Sequence, residues 1–242
     1  MCIVNIALLI PAYNEAPNIQ PLFEALDKAT GISFSSVVVV DNGSTDETAD
    51  LARAHGAVVL AEPRRGYGAA CLCGLSWLDQ QKLGIDAVLF LDADLSDDPA
   101  AMRHVLAPIE AGQADLVIGS RVRLAQPGSL NFIQRFGNRI ACTLMYWTTG
   151  KKYSDLGPMR CVTSHALKSM SMRDQTWGWT VEMQMKAALL KLRVQEVDVP
   201  YRRRHAGRSK ISGTLVGAIR AGWKITTTII ILWWGHRRSS SS

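Results

Sequence analysis

The feature that most restricts the fold of this chain is a regular alternation of short apolar runs and amphipathic stretches up to about Ser120. The apolar runs cover residues 3–10, 37–40, 57–61, 88–91 and 115–119. The helix-like stretches cover residues 18–29, 69–83 and 99–111. A further helix is expected after Asp46, with Ser44 or Thr45 as its N-cap. Short continuous apolar runs are typical of buried parallel strands. The alternation therefore predicts an α/β fold, a mostly parallel Rossmann-like sheet with helices on both faces.

Polar side chains follow four of the predicted strands at the points where the strands end. They are Tyr13, Asn14 and Glu15; Asp41, Asn42 and Ser44; Asp92 and Asp94; and Ser120 and Arg121. Because the carboxyl ends of parallel strands share one edge of the sheet, we expect a single composite ligand site there.

The most informative of these strand ends is Asp92-Ala-Asp94, where two carboxylates directly follow the apolar run 88–91. Carboxylate oxygens suit a hard divalent cation, so the pair predicts a site for Mg2+ or Mn2+. Taken alone, the pattern fits an acidic loop with Asp97 and Asp98 as helix caps equally well. The convergence of four strand ends favours the metal site.

Two common kinds of nucleotide site have no counterpart in the sequence. The first strand is not followed by Gly-x-Gly-x-x-Gly, which argues against a nicotinamide or flavin oxidoreductase. The chain also lacks the Gly-x-x-x-x-Gly-Lys-Ser/Thr pattern of P-loop NTPases. The remaining possibility is a nucleotide site built from carboxylates and a metal.

The chain is basic, with a net charge of +6, and its arginines are concentrated after residue 120. Arg135 and Arg139 share one face of a helix expected over 131–148. A loop over 201–210 is dense in positive charge and is expected to close over a phosphate group. Alternatives are a solvated surface or a nucleic-acid-binding patch.

Glu182 lies in the first turn of a helix expected over 181–192. It either favours the positive end of the helix dipole or acts as a general base at the mouth of the site.

The C-terminal stretch 214–234 is apolar, carries two adjacent tryptophans, and is interrupted by Arg220 and Lys224. This composition predicts a helix that lies on a membrane surface or docks on a partner, followed by a disordered end over 236–242. A plain core helix is the alternative. No stretch reaches the roughly 18 uncharged apolar residues of a membrane span. The five cysteines are irregularly spaced and follow no secretory signal, which favours a reduced, cytoplasmic protein.

Several stretches together resemble the family 2 glycosyltransferases of GT-A fold. They are Pro11-Ala-Tyr-Asn-Glu15, Val40-Asp-Asn-Gly-Ser-Thr-Asp46, Arg65-Gly-Tyr-Gly-Ala69, Leu91-Asp-Ala-Asp94 and Gly207-Arg-Ser-Lys210. Within that family the chain is most similar to the polyprenyl-phosphate sugar transferases, the dolichyl-phosphate mannose synthase group. The supporting stretches are Val117-Ile-Gly-Ser-Arg121, the Arg135 helix, Asp155-Leu-Gly-Pro-Met-Arg160 and Trp179-Thr-Val-Glu-Met-Gln184. Ser96 departs from the glutamine usual in that group, and Leu156 to Arg160 departs from its Ser-Gly-Phe-Arg stretch.

The resemblance implies a role for each matching position. The nucleotide would be bound by Pro11, Ala12, Tyr13, Glu15, Asp41, Gly66 and Asp92. The metal would be held by Asp92 and Asp94. Arg121 and Arg135 would hold the acceptor phosphate, and Glu182 matches an acidic position on the acceptor side. The loop that closes over the donor diphosphate would use Arg204, Ser209 and Lys210.

The resulting hypothesis is an inverting transfer of a hexose from a UDP- or GDP-sugar to a polyprenyl phosphate, at the cytoplasmic face of a membrane. Residues 1–120 would bind the donor, 121–213 the acceptor, and 214–242 would form the C-terminal helix. One alternative is a hydroxyl acceptor, for which Glu182 would be the base. A nucleotidyltransferase and a non-enzymatic basic module that binds membranes or nucleic acid are further alternatives; under the main hypothesis no nucleic acid is bound.

Overall fold

The computed structural model describes residues 4–29, 31–207 and 215–239, and in the last range it describes side chains from 222 to 238. The strands are β1 (Ile6–Ala12), β2 (Ser36–Asp41), β3 (Val58–Ala61), β4 (Ala87–Phe90), β5 (Leu116–Ser120), β6 (Arg160–Thr163) and β7 (Val194–Asp198). They form one sheet in the order β3-β2-β1-β4-β6-β5-β7. Only β6 among these strands runs antiparallel to its neighbours. The expected strand ends therefore do lie on one edge.

Helices cover both faces of this sheet. They are α1 (Ala16–Lys28), α2 (Thr48–Ala54), α3 (Tyr67–Gln81), α4 (Met102–Glu110), α5 (Phe132–Thr149), α6 (Ser164–Met170), α7 (Trp179–Leu189) and α8 (Leu215–Ser239), with a 3-10 turn at Pro99–Ala101. One core cluster joins α1 and α4 to the sheet through side chains such as Ile19 and Leu106. The other joins α3, α5 and α7 to the opposite face, with Trp179 fully buried. The α/β prediction is confirmed.

Strand β6 and helix α6 were not expected, since residues 154–160 read as a turn-rich connection. The strand has only four residues, and it begins at Arg160, a residue type that is almost never fully buried. In the structure the Arg160 side chain is completely buried and donates hydrogen bonds to the carbonyls of Leu156, Gly157 and Thr180. Backbone acceptors of this kind leave no mark in the sequence pattern.

Helix α5 begins and ends at strong local signals. The Asn131 side chain accepts from the Gln134 N–H, and the Gln134 side chain accepts from the Asn131 N–H, which forms a capping box. The helix ends at Gly150, whose φ of 72° is readily adopted by glycine.

Helix α8 extends to Ser239, so the disordered end expected from residue 236 is wrong for 236–239. Within the described ranges, no helix is both long and apolar enough to cross a membrane.

Candidate active site

A cavity of about 500 Å3 opens at the carboxyl edge of the sheet, where β1, β2 and β4 end. Its lining includes eight residues that the sequence assigned to donor or metal binding: Pro11, Ala12, Tyr13, Glu15, Gly66, Asp92, Asp94 and Arg204. We call this space the donor cavity. The ends of β1, β2 and β4 therefore meet at one site as predicted, and Arg204, nearly 200 residues after Pro11, joins them.

The two aspartates differ in their contacts. Asp94 is 5% exposed, and its Oδ1 accepts a 2.8 Å hydrogen bond from the backbone N–H of Ser96. The Oδ1 atom of Asp92 is buried and has no hydrogen-bond partner. Burial and the neighbouring Asp94 charge raise the pKa of Asp92 to about 7. An enclosed carboxylate oxygen without a donor, in an anionic pair, fits a cation ligand.

Arg204 places a positive charge between two acids of the donor cavity. Its guanidinium donates to Oε1 of Glu15 at 3.2 Å and also to Oδ2 of Asp94. The backbone N–H of His205 donates to the Asp94 carbonyl at 3.2 Å, which ties the basic loop to the aspartate segment. Arg204 thus lies where the sequence predicts, whereas Ser209 and Lys210 lie outside the described residues.

The glycines at the start of α3, Gly66 and Gly68, let two backbone segments meet at the wall of the donor cavity. The N–H of Gly66 donates to Oδ1 of Asn42 at 2.8 Å, and the N–H of Gly68 donates to the Thr176 carbonyl at 3.1 Å. A Cβ on Gly68 would lie 2.0 Å from the Asp174 carbonyl oxygen. Only glycine permits this approach without a backbone shift.

We expect Gly68→Ala to destabilise the fold by about 1–3 kcal/mol, because the clash is with backbone rather than with a flexible side chain. Nucleotide affinity should fall with it, since Thr176 lines the donor cavity. The matched control is Gly137→Ala in α5, where an added Cβ meets nothing within 4 Å. Chemical denaturation of the two variants checks the difference; equal stabilities would contradict the packing described.

Asp41 is not among the residues that line the donor cavity, and its role in nucleotide binding stays a prediction. Its Oδ1 accepts a 3.2 Å hydrogen bond from the N–H of Ser44, so it shapes the turn after β2. The cavity is lined instead by the next residue, Asn42, whose amide also donates to the Glu62 and Arg64 carbonyls. Asn42 lies in the turn directly after β2, and the shape of that turn decides which of the two side chains lines the cavity.

A second cavity, of about 570 Å3, runs along α5 and contains both arginines assigned to the acceptor. We call it the basic groove. Its polar lining includes Arg121, Arg135, Arg139, Lys152 and Asp155. Arg121 lies close enough to Asp92 to lower the pKa of that carboxyl, although burial and Asp94 raise it more. The basic groove is therefore an electrostatic neighbour of the donor cavity.

Arg121 is held by Asp155 in a bidentate pair. Its Nε donates to Oδ2 at 2.7 Å and its NH2 group donates to Oδ1 at 2.8 Å. The Asp155 side chain is 1% exposed and the Arg121 side chain 14%. Burial opposes the charged form, but the contacts with Asp155 raise the pKa of Arg121 above its usual range. The bidentate pair therefore fixes the orientation of the Arg121 guanidinium.

The Glu182 carboxylate is not exposed to an acceptor molecule. Its carboxylate is buried and accepts from the backbone N–H groups of Arg173 and Asp174 at 2.7–3.1 Å. It also pairs with Lys186 at 2.7 Å. In this arrangement Glu182 holds the segment before Thr176 against the donor cavity, which corrects its expected place at the mouth of the site.

Three residues that follow the aspartate pair, Ser96, Asp97 and Asp98, differ in their contacts. Asp97 is 1% exposed, neither of its oxygens has a hydrogen-bond partner, and burial together with Asp92 raises its pKa well above the usual range. Asp98 does cap the following turn, by accepting from the Ala100 N–H. Ser96 is buried, and its carbonyl accepts from the Arg202 N–H at 2.8 Å. Sequence patterns carry no signal for such burial.

The architecture has close counterparts among solved structures. Glucosyl-3-phosphoglycerate synthase from Mycobacterium tuberculosis, solved with Mn2+, UDP-glucose and phosphoglyceric acid, superposes with a TM-score of 0.76 at 19% identity. The match covers 95% of this chain and 80% of that one. The chain therefore has the fold of the GT-A glycosyltransferases, as expected.

The chain belongs to glycosyl transferase family 2, whose model matches residues 7–172. An uncharacterised glycosyltransferase of Mycobacterium tuberculosis is 33% identical over 227 residues, which cover 91% of this chain and 97% of that protein. The undecaprenyl-phosphate mannosyltransferase of Micrococcus luteus is 29% identical over 230 residues, covering 88% and 90%. Membership of this family identifies an enzyme, and sets aside the nucleotidyltransferase and the non-enzymatic module.

Proposed function

We propose that this chain is an inverting hexosyltransferase that moves a sugar from a UDP- or GDP-sugar to a polyprenyl phosphate. The observation that carries the proposal is the pair of neighbouring cavities, one lined by Asp92 and Asp94 and the other by Arg121 and Arg135. A nucleotide diphosphate with a metal suits the first, and a phosphate acceptor suits the second. The name of the Micrococcus luteus relative supports this acceptor.

The donor cavity fits a divalent metal held by Asp92 and Asp94. No cluster of three metal-ligating side chains occurs in the part of the chain that the structure describes, so donor phosphates and water would complete the ligand set. Such an ion, when bound, offsets the negative charge that grows on a departing diphosphate. The Mn2+ and UDP-glucose bound by the Mycobacterium tuberculosis synthase support this assignment.

The remaining residues of the donor cavity orient the nucleotide. The guanidinium of Arg65 lies over the Tyr13 ring, 3.4 Å from its centroid, and both residues line the cavity. This stacked pair offers a flat surface to the base or ribose. Arg204 adds a positive charge on the side of Asp94, where the diphosphate would lie.

The acceptor phosphate is already anionic and needs no general base, which agrees with the occupied carboxylate of Glu182. Arg121 and Arg135 would position the phosphate and offset its charge. An oxygen of the phosphate would then attack the anomeric carbon from the side opposite to the diphosphate, which inverts the configuration.

The test compares a short polyprenyl phosphate with the same polyprenol lacking the phosphate and with 3-phosphoglycerate. Release of nucleoside diphosphate is measured for a panel of UDP- and GDP-sugars with Mn2+. Of the three acceptors, we expect only the polyprenyl phosphate to support release of nucleoside diphosphate. Equal release with the polyprenol would assign a hydroxyl acceptor. Release only with 3-phosphoglycerate would assign a water-soluble acceptor.

Donor binding is expected to weaken as pH falls through 7. Burial and Asp94 raise the pKa of Asp92 to about 7, so a proton competes with the metal below that pH. Metal affinity in the presence of UDP should fall by up to about tenfold per pH unit between pH 7 and 5. A calorimetric pH series measures this, and a flat profile over that window would contradict the assignment of Asp92 as a ligand.

The proposal includes peripheral attachment at the cytoplasmic face of a membrane through α8. That helix leaves Trp223, Ile230, Ile231 and Trp234 exposed, and it ends with Arg237 and Arg238. Tryptophan and basic residues together favour the interface between lipid head groups and acyl chains.

A further inference from the structure

Helix α5 carries an exposed apolar stripe beside the basic groove. The stripe comprises Phe132, Ile133, Phe136, Ile140 and Trp147, of which Phe132 is 79% exposed and Trp147 73%. Because successive helical residues are rotated by about 100°, these side chains fall within about 100° of the helix circumference. The Phe132 and Phe136 rings stack with centroids 6.0 Å apart. A contiguous exposed patch of large apolar side chains marks an interaction surface.

The adjacent face of the same helix is basic and lines the basic groove. Arg135 and Arg139 lie one turn apart, with Gln134 and Asn138 beside them. Helix α5 contains no aspartate or glutamate, and neither does α8. An apolar stripe flanked by cations, with no acid on the helix, matches the pattern of helices that lie in an anionic lipid interface.

Helix α8 packs against α5 and carries a stripe of its own. Its exposed Trp223, Ile230, Ile231 and Trp234 also fall within about 100° of the circumference. Two neighbouring helices of the same character give a broader apolar surface than one helix alone.

The charge pattern favours a lipid surface over a second copy of the chain. A second copy seated on the α5 stripe would bring two sets of Arg135 and Arg139 close together, and their like charges would oppose association. Anionic head groups would instead pair with these arginines.

We propose that the α5 stripe docks on an anionic bilayer and holds the opening of the basic groove at the depth of the lipid phosphates. The depth claim rests on the proposed acceptor, since a polyprenyl phosphate would then enter the groove from within the bilayer plane. The docking claim rests on the stripe and its charges alone.

The test measures co-sedimentation with vesicles of phosphatidylglycerol and phosphatidylcholine, without donor or acceptor. The variant Phe136→Ser/Trp147→Ser removes two side chains of the stripe, neither of which lines the basic groove. We expect its vesicle affinity to fall at least about tenfold. The control Leu83→Ser/Leu190→Ser removes two exposed leucines from other elements and should bind as the wild type does. Pure phosphatidylcholine should bind the wild type more weakly.

Circular dichroism confirms that each variant is folded, and Phe132→Ser serves as a second stripe variant. Wild-type affinity in both stripe variants would overturn the proposal. So would a dimer that dissociates on the same substitutions while vesicle binding is unchanged, because the stripe would then bind a second copy.

Sugar transfer to a detergent-dispersed acceptor should be unaffected in the stripe variants. Vesicle binding without any transfer would overturn the proposed function and leave the docking surface intact.

Discussion

Asp94→Ala is expected to lower metal-dependent sugar transfer by about 1000-fold or more. Asp94 is 5% exposed in the donor cavity, next to the unpartnered Oδ1 of Asp92. Its loss removes a metal ligand and also one of the carboxylate partners of Arg204. Interactions that stabilise charge on a leaving group each contribute about 100- to 1000-fold in rate, and this substitution disturbs two of them. Transfer rates at saturating donor and metal measure the loss.

The matched control is Asp98→Ala, in the same loop. Asp98 caps the turn at Pro99–Ala101 and pairs with Arg202, and it does not line the donor cavity. Its loss should cost about 1 kcal/mol of stability and little activity. If Asp94→Ala kept substantial metal-dependent activity while folded, Asp92 and Asp94 could not be the metal site.

Asp155→Ala is expected to destabilise the protein by about 3–5 kcal/mol. Asp155 accepts two hydrogen bonds from the Arg121 guanidinium and a third, of 2.8 Å, from the Arg121 backbone N–H. Without it, a charge that is only 14% exposed remains unpaired, and removal of one partner of a buried pair carries this cost. The free energy of unfolding in urea measures it.

The comparison is with Asp198→Ala, which breaks the exposed pair between Arg123 and Asp198 at 3.5 Å. Exposed pairs contribute about 0–1 kcal/mol. Similar losses in the two variants would show that Arg121 is solvated in solution and not pre-oriented by Asp155. The Asp155→Ala variant should also transfer sugar more slowly, because Arg121 loses its fixed orientation.

The predicted site residues that do meet in the donor cavity lie mostly at strand ends. Asp92 and Asp94 follow the buried strand β4, and Tyr13 and Glu15 follow β1. Parallel pairing then brings them together whatever the details of the loops. The family resemblance added Arg204, about 110 residues further along the chain, which no periodicity argument connects to Asp94.

The residues whose places differ from the sequence-based expectation have a different cause in common. Asp41 and Asn42 differ by one position, and only the turn after β2 decides which of them faces the donor cavity. Glu182 was assigned from its place in a first turn, but it accepts from backbone N–H groups of the segment before α7 and pairs with Lys186. The arginine of β6, Arg160, donates mainly to backbone carbonyls. All three side chains form hydrogen bonds with backbone atoms, and the pattern of residue types does not reveal such bonds.

The central claim is that Asp92 and Asp94 bind a nucleoside diphosphate through a divalent metal. Calorimetric titration of UDP and of GDP, each with Mn2+ and then with a chelator, at pH 7.5, tests it most directly. We predict that one of the two nucleotides binds with Mn2+ and that its binding falls at least about tenfold with the chelator. Equal binding in the presence of the chelator, or no binding of either nucleotide with Mn2+, would contradict the account.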